Sequence, residues 1–420
     1  MNYTKFNLSL YALIISVLWF AVSFIFNEDS LGGALHDFKY HEKYFFDFSQ
    51  NFTKTINEYG VNNEVRNSPV FYILLSKLYQ FGITSDYLKY FNLIIILPLV
   101  LYFNKCINLS FEQPDKNSKF FLTSCLFLSP TIRSLINYPY PLIWAICFFL
   151  ISIYFFLKFK KKNEFKRSNG LFCIFYLSIA SYFTPNFAVF IIFYFYHFYL
   201  DLKISKNLIL FISLAFILSL PAFAFLIWKD FYLFKNNVFE ISSFEKMNFS
   251  NKIIIISSFI IFFFIPFFKK IDLSFNTIKR IITDKNFYFI NFLIIICLFY
   301  FDYRDGAGGG FFYKLSIIIF ENHVLIFFVF IFSILFFYLS NLLNKNNIII
   351  FTILILYNLQ YSIYYKYYDP ILLFIFLFLM KTQRNDVINL NKVSTNCFLF
   401  YLVFLCMNIF KKNFLAFLTI

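Results

Sequence analysis

Charge is what this sequence has least of. Only 14% of its 420 residues are Asp, Glu, Lys or Arg, while 60% are hydrophobic. A soluble domain is about a quarter charged, and even a large one needs a polar exterior. A soluble fold of the whole chain is excluded, and lipid is its natural solvent. Long polar segments are missing too. The longest, 27–68, has about 42 residues, so no large soluble domain is present. Seven cysteines are scattered, mostly inside apolar runs, and none forms a CxxC pair. Small buried hydrophobes account for them better than redox or metal chemistry. No internal repeat is visible.

What is present is apolar and continuous. Residues 8–26, LSLYALIISVLWFAVSFIF, run 19 positions without a charge, and 208–228 run 21. Each spans a hydrocarbon core of about 30 Å as a helix. The runs do not alternate, and a spanning backbone must satisfy its own hydrogen bonds, so helices rather than a barrel are expected. The 71 Phe reflect a coding bias more than an aromatic function. The first run is too long for a signal-peptide core and more spans follow, so it reads as an uncleaved first span.

The fold expected is an all-α polytopic membrane bundle in one integral domain over 1–420. Spans are read at 8–26, 87–103, 120–136, 140–157, 171–184, 186–200, 207–228, 252–268, 286–301, 323–342, 348–364, 367–380 and 396–410, giving 11 to 13 in all. Connecting charge sets the orientation. Residues 158–167 hold six basic and one acidic residue, 269–285 five and two, and 381–392 three and one. All fall on one side if the N-terminus is cytoplasmic, as the positive-inside rule requires. The opposite side receives 27–86, whose part 27–68 carries seven acidic and four basic residues. Within it SPVFYILLSKLYQFG, 68–82, is apolar but short and contains Lys77. It reads as an interfacial helix, with Pro69 in its first turn and Gly82 at its exit.

Polar outliers gather on that outer side. In HDFKYHEKYFFDF, helical spacing puts His36, Lys39 and Tyr40 on one face and Asp37, Tyr40 and His41 on another. Asp37 can serve as a general base or a metal ligand. His36 and His41 can donate to phosphate or bind a metal. Solvated charges on an interfacial helix explain the same stretch. A zinc site fits poorly, because the spacing is HDxxxH and no third ligand is evident. In FDYRDGAGGGFFYK, 301–314, the glycines permit close backbone approach, and Arg304 and Lys314 can grip a phosphate. The stretch lacks the GKS/T end of a P-loop, and a plain turn also suits it. In YYKYYDP, Asp369 reads as a turn or cap residue, and Lys366 as an interfacial anchor or part of a sugar-phosphate pocket. Arg133 ends an apolar run before the NYPYP turn, where a lone arginine pairs, snorkels or holds a phosphate. The basic loops are short and lack interleaved aromatics, so topology and anionic lipid explain them and nucleic acid does not.

An inner N-terminus, one span, and a long outer loop opening with acidic residues resemble the multispanning GT-C glycosyltransferases. HDFKYH, NSPVFYILLSKLYQFG and NYPYP resemble members that use polyprenyl-phosphate sugars, such as protein mannosyltransferases and aminoarabinose transferases. Where such members often carry HPP-L-Y-Y-x-L, this chain reads Asn67-Ser68-Pro69-Val70-Phe71-Tyr72, without the histidine and first proline. The resemblance covers the layout of residues 1–200. It implies a catalytic base after the first span, at Asp37 with Glu28 and Asp29 as rivals. Substrate would be bound by His36, His41, Arg66, Tyr72, Arg133, Arg304, Lys314, Lys366 and Asp369. The base would take the proton of an acceptor hydroxyl as it attacks C1 of the sugar, with inversion and polyprenyl phosphate leaving. The partners implied are a polyprenyl-phosphate-linked sugar donor, a glycan, lipid or protein acceptor, and membrane lipid. A divalent metal is compatible with this scheme and not required. The compact chain suggests a bacterial inner membrane. A transporter or flippase is the alternative, but it would be expected to show repeats or paired broken helices. An O-antigen-type ligase or polymerase would carry its large loop late in the chain.

Overall fold

The computed structural model describes residues 3–60, 67–161, 166–232, 248–268, 285–304, 308–340, 342–358, 360–381 and 390–418. Every regular element among them is helical. The protein is an all-α, polytopic membrane protein, and the chain falls into two compact units.

The first unit comprises 1–236, 369–378 and 388–420. It begins with α1 (Tyr3–Ile25), α2 (Ala34–Gln50), α3 (Phe52–Glu58), α4 (Val70–Gln80), α5 (Ser85–Ile94) and α6 (Ile96–Ser110). It continues through α7 (Lys116–Leu128), α8 (Pro130–Asn137), α9 (Pro141–Lys160), α10 (Lys166–Phe183), α11 (Ile191–Leu202) and α12 (Lys206–Trp228). The second unit, 237–368 and 379–387, contains α13 (Phe249–Phe264), α14 (Lys285–Phe299), α15 (Gly310–Phe320), α16 (Val324–Leu339) and α17 (Lys345–Tyr357). The chain then returns to the first unit with α18 (Ile371–Phe374) and α19 (Leu390–Leu418).

Local chemistry starts these helices. Asn51, Asp115, Ser129 and Ser205 cap α3, α7, α8 and α12 by accepting from backbone N–H groups of the first turn. Each such bond satisfies a donor that the helix itself leaves unpaired. Pro130 and Pro141 open α8 and α9, where their missing N–H costs nothing. The apolar segment expected at 68–82 is helical as α4, entered after Pro69 and left at Gly82, whose φ is +81°.

By length and composition, six helices of the described residues can cross a membrane, and there are up to seven if α7 and α8, bent by 52°, form one span. The expectation of 11 to 13 is not reached on that criterion. The expected segments are helical, but α14 to α17 present apolar lengths of only 10–17 residues, short of the ~20 that a full crossing needs.

In lipid, helices associate through close packing and hydrogen bonds rather than through hydrophobic transfer. In the first unit α9 packs along α10, α1 and α19 pack on α7, and α2 packs on α4. Ser152 Oγ donates to the Cys173 carbonyl at 2.9 Å, tying α9 to α10. At Gly170 a β-carbon would stand 2.2 Å from the Phe211 ring, so only glycine lets α12 approach α10 this closely. In the second unit α13 packs against α14, α16 and α17.

Candidate functional site

The polar residues after α1 divide into two groups. The first, Asn27–Leu31, is sewn to α8. Arg133 is fully buried, and its guanidinium forms an ion pair with Glu28. The same group donates to the Trp19 carbonyl at 3.4 Å and lies 5.4 Å from the Trp19 ring centroid. Asn137 Nδ2 donates to the Glu28 carbonyl at 2.7 Å, and the Tyr138 hydroxyl to the Asn27 carbonyl at 2.7 Å. Ser134 Oγ accepts from Leu31 N at 3.0 Å. Asp29 is buried, and its two carboxylate oxygens accept from Gly32 N at 3.0 Å and Leu35 N at 3.3 Å. It thereby holds the turn that starts α2, with Gly32 at φ +77°.

Asp369 extends this group. It is fully buried, its Oδ2 accepting from Ser129 Oγ at 2.7 Å and Thr131 N at 3.3 Å, and its Oδ1 from the Tyr401 hydroxyl at 3.0 Å. Asp369 therefore serves the start of α8, 240 positions away, rather than the helix beginning after Pro370. The bend between α7 and α8 is held from both sides, by Ser129 and Asp369 at its turn and by Glu28 on Arg133.

The second group sits on α2 and α4. Asp37 is half-buried in the first turn of α2, and His36 beside it is exposed. His41, one turn further on, is buried, with its Nδ1 2.6 Å from the Tyr72 hydroxyl and its ring edge-on to Tyr140 at 4.6 Å. Asn67 Nδ2 donates to the same Tyr72 hydroxyl at 3.2 Å. The Asn67 carbonyl accepts from the Tyr59 hydroxyl at 2.9 Å and the Tyr232 hydroxyl at 2.8 Å. Lys229 Nζ donates to the Asn57 carbonyl at 2.6 Å. The residues after α12 thus close over the segment before α4. Gly60, at φ +80°, fits under Tyr232, where a β-carbon would stand 2.7 Å from the ring.

Burial is the main reason the phenols of Tyr59, Tyr72 and Tyr232 are held above the ordinary tyrosine range. For Tyr72, the Asn67 hydrogen bond lowers the value somewhat, while neighbouring Tyr44 and Tyr232 and the Asp37 carboxylate push it further up. Asp37 lies one helical turn before His41 on α2, and His41 meets the Tyr72 hydroxyl.

The structure thus brings Asp37, His41 and Tyr72 into one neighbourhood. It ties the half-buried Glu28 to the buried Arg133 in an ion pair and sets the buried Asp29 and Asp369 at the starts of α2 and α8. Arg66 lies outside the described residues. Arg304, Lys314 and Lys366 belong to the second unit. Arg304 is exposed, Lys314 is half-buried on α15, and Lys366 Nζ stands 5.3 Å and 5.5 Å from the Tyr364 and Tyr367 ring centroids. Of the glycine-rich stretch, Gly309 and Gly310 have positive φ, and Gly309 N donates to the Ile363 carbonyl at 2.9 Å. Among the described residues no cluster of three or more metal-ligating side chains forms.

Two groups escaped the sequence reading. Asn67 sits at the centre of the hydroxyl cluster, and its own amide gives no local signal of that. Lys252, near the start of α13, is buried with its ammonium donating to the carbonyls of Asn358 and Gln360, the latter at 2.8 Å. A charge inside an otherwise apolar helix was the one signal that could have found it.

No protein-family model, no curated protein and no solved structure matches this chain.

Proposed function

We propose that the protein is a membrane glycosyltransferase of the GT-C type, moving a sugar from a polyprenyl-phosphate donor to a glycan, lipid or protein acceptor. The observation that carries this reading is the division of labour among three carboxylates. Glu28 is paired with Arg133 and Asp29 holds the turn into α2. Asp37 stands half-buried on a helix whose next turn is fixed by the His41–Tyr72 contact. A general base needs a fixed position beside solvent or substrate, and a backing that does not move. Asp37 meets the first need and the hydroxyl cluster around Asn67 the second.

In this reading Asp37 takes the proton of the acceptor hydroxyl as its oxygen attacks C1. The bond from C1 to the phosphate oxygen breaks, the configuration inverts, and polyprenyl phosphate departs as the anion. The segment 27–86 faces the outer side, the N-terminus lies in the cytoplasm, and a bacterial inner membrane is the setting. The basic connections between spans support that orientation.

The bend between α7 and α8 favours a transporter or flippase, since broken helices line many transport sites. Such sites use the exposed N-terminus of the second half-helix. Here that N-terminus already has Ser129 and Asp369 against it, which favours a structural bend.

The test is transfer in proteoliposomes, with polyprenyl-phosphate sugars as donors, comparing the native chain with Asp37→Asn at equal insertion. Donor-dependent transfer should fall by about 10²- to 10⁴-fold in the variant. Undiminished transfer would remove Asp37 from the role. Absence of transfer by the native protein across donors and acceptors would overturn the enzyme reading in favour of transport.

A further inference from the structure

A second feature of the first unit has no part in the proposed chemistry. Lys105 of α6 and Lys158 in the last turn of α9 converge on one aromatic pair. Lys105 Nζ stands 4.7 Å from the Tyr102 ring centroid and 5.7 Å from that of Tyr154, and Lys158 Nζ stands 4.9 Å from the same Tyr154 ring. Tyr102 and Tyr154 meet edge-to-face at 5.1 Å. All four side chains are half-buried.

Two ammonium groups over one ring repel each other. A ring quadrupole attracts each of them but cancels no charge. Among the described residues neither lysine has a carboxylate partner. The contrast lies two residues along α9, where Lys160 Nζ is held by the Asp201 carboxylate at 2.9 Å. Lys160 is neutralised by the protein's own carboxylate, and among the described residues the pair at Tyr154 is given none.

The surface leading away from the pair shows what kind of anion. Phe155 stacks on Tyr176 at 5.5 Å with the rings 3° apart, and Tyr176 lies 6.2 Å and 14° from Phe148. These three rings are half-exposed and nearly parallel. Phe148, Phe155 and Lys158 recur at spacings that share one face of α9. From Phe148 to Lys158 the helix rises ~15 Å, about one leaflet of a hydrocarbon core ~30 Å thick. The result is a flat aromatic wall one leaflet deep, ending at two cations that no carboxylate among the described residues neutralises.

We propose that this surface binds an anionic phospholipid, its headgroup phosphate between Lys105 and Lys158 and an acyl chain along the Phe155–Tyr176–Phe148 wall. Basic pockets between spanning helices bind anionic headgroups for the same electrostatic reason. A free phosphate would have no use for the wall, and a neutral lipid none for the lysines. The site does not depend on the glycosyltransferase reading, since none of its residues belongs to the proposed catalytic group.

The experiment is native mass spectrometry of the full chain released from vesicles of equimolar phosphatidylglycerol and phosphatidylcholine with identical acyl chains. The native protein should retain phosphatidylglycerol preferentially. Lys105→Gln with Lys158→Gln should weaken that preference about thirty-fold, from the contribution of each lysine near a membrane surface. Lys105→Arg with Lys158→Arg should keep it, and this pair guards against a Gln variant that fails to fold. Phe148→Ala should reduce retention of both lipids without changing the preference. Equal retention of the two lipids by the native protein would overturn the proposal. So would an unchanged preference in the Gln pair, or displacement of the lipid by millimolar inorganic phosphate.

Discussion

Glu28 and Asp37 are nine positions apart on one polar segment, yet the structure gives them opposite surroundings. Glu28 faces a fully buried arginine, and the backbone around it is bound to α8. Asp37 is half-buried on α2, with its helix fixed from behind by His41 and Tyr72. The first region spends its polar groups on one another and has a fixed bend to show for it. The second gathers them around the His41–Tyr72 contact on α2 and α4, with the half-buried Asp37 one turn before it. A polar residue in a greasy chain is therefore no sufficient sign of a site.

The contrast can be broken most forcefully at Glu28. Glu28→Leu leaves the Arg133 charge buried and unpaired, and should cost about 3–5 kcal/mol, read as the thermal midpoint of the purified protein in one detergent. Adding Arg133→Met should recover most of that loss, because a buried pair is replaceable by apolar packing of similar size. A double variant as unstable as the single would show that the pair does more than balance charge. Gly60→Ala comes next. It combines a positive φ with a β-carbon against the Tyr232 ring, and should lower stability by about 1–3 kcal/mol. Limited proteolysis should then cut first between α3 and α4.

Tyr72→Phe removes the hydroxyl shared by His41 and Asn67, at a cost of about 1–2 kcal/mol. It also bears on pH. Burial raises the phenols of Tyr59, Tyr72 and Tyr232 above their ordinary value. A raised folded-state pKa gives stability that is fully present below the unfolded value, about 10 for tyrosine, and is lost as the pH climbs beyond it. The native thermal midpoint should thus drop on the alkaline side of about pH 10, and Tyr72→Phe should flatten that drop. A midpoint insensitive to alkali would mean that these phenols are not shielded. The smallest effect belongs to Asp37→Asn. It keeps the side chain's shape and removes a negative charge from the first turn, where such a charge contributes about 0.3–1 kcal/mol. A loss as large as that of Glu28→Leu would erase the distinction between the two regions.

Much of the fold was legible from local pattern. Continuous apolar runs announced helices, and Pro69, Gly82 and the NYPYP turn marked where helices start and stop, whereas the break at Pro130 inside the expected span 120–136 was not read. The helix at 70–80 and the short turn at NYPYP were both readable in this way. The count of full crossings was not, because an apolar run does not tell how long its helix will be. The candidate site was legible as a list. Asp37, His41 and Tyr72 do share a neighbourhood, and helical spacing already linked Asp37 with His41. The list did not say that Glu28 pairs with Arg133 or that Asp369 meets Ser129.

Sequence by itself determined that this chain lives in lipid as helices, and on which short segments its polar groups stand. Both follow from properties of adjacent residues: hydropathy over a window, the turn chemistry of proline and glycine, and the 3.6-residue period. Only the tertiary structure decided which polar groups satisfy one another. Glu28 meets Arg133 across 105 positions and Asp369 meets Ser129 across 240. A buried charge must find its partner wherever packing brings one, and no local pattern records where that will be.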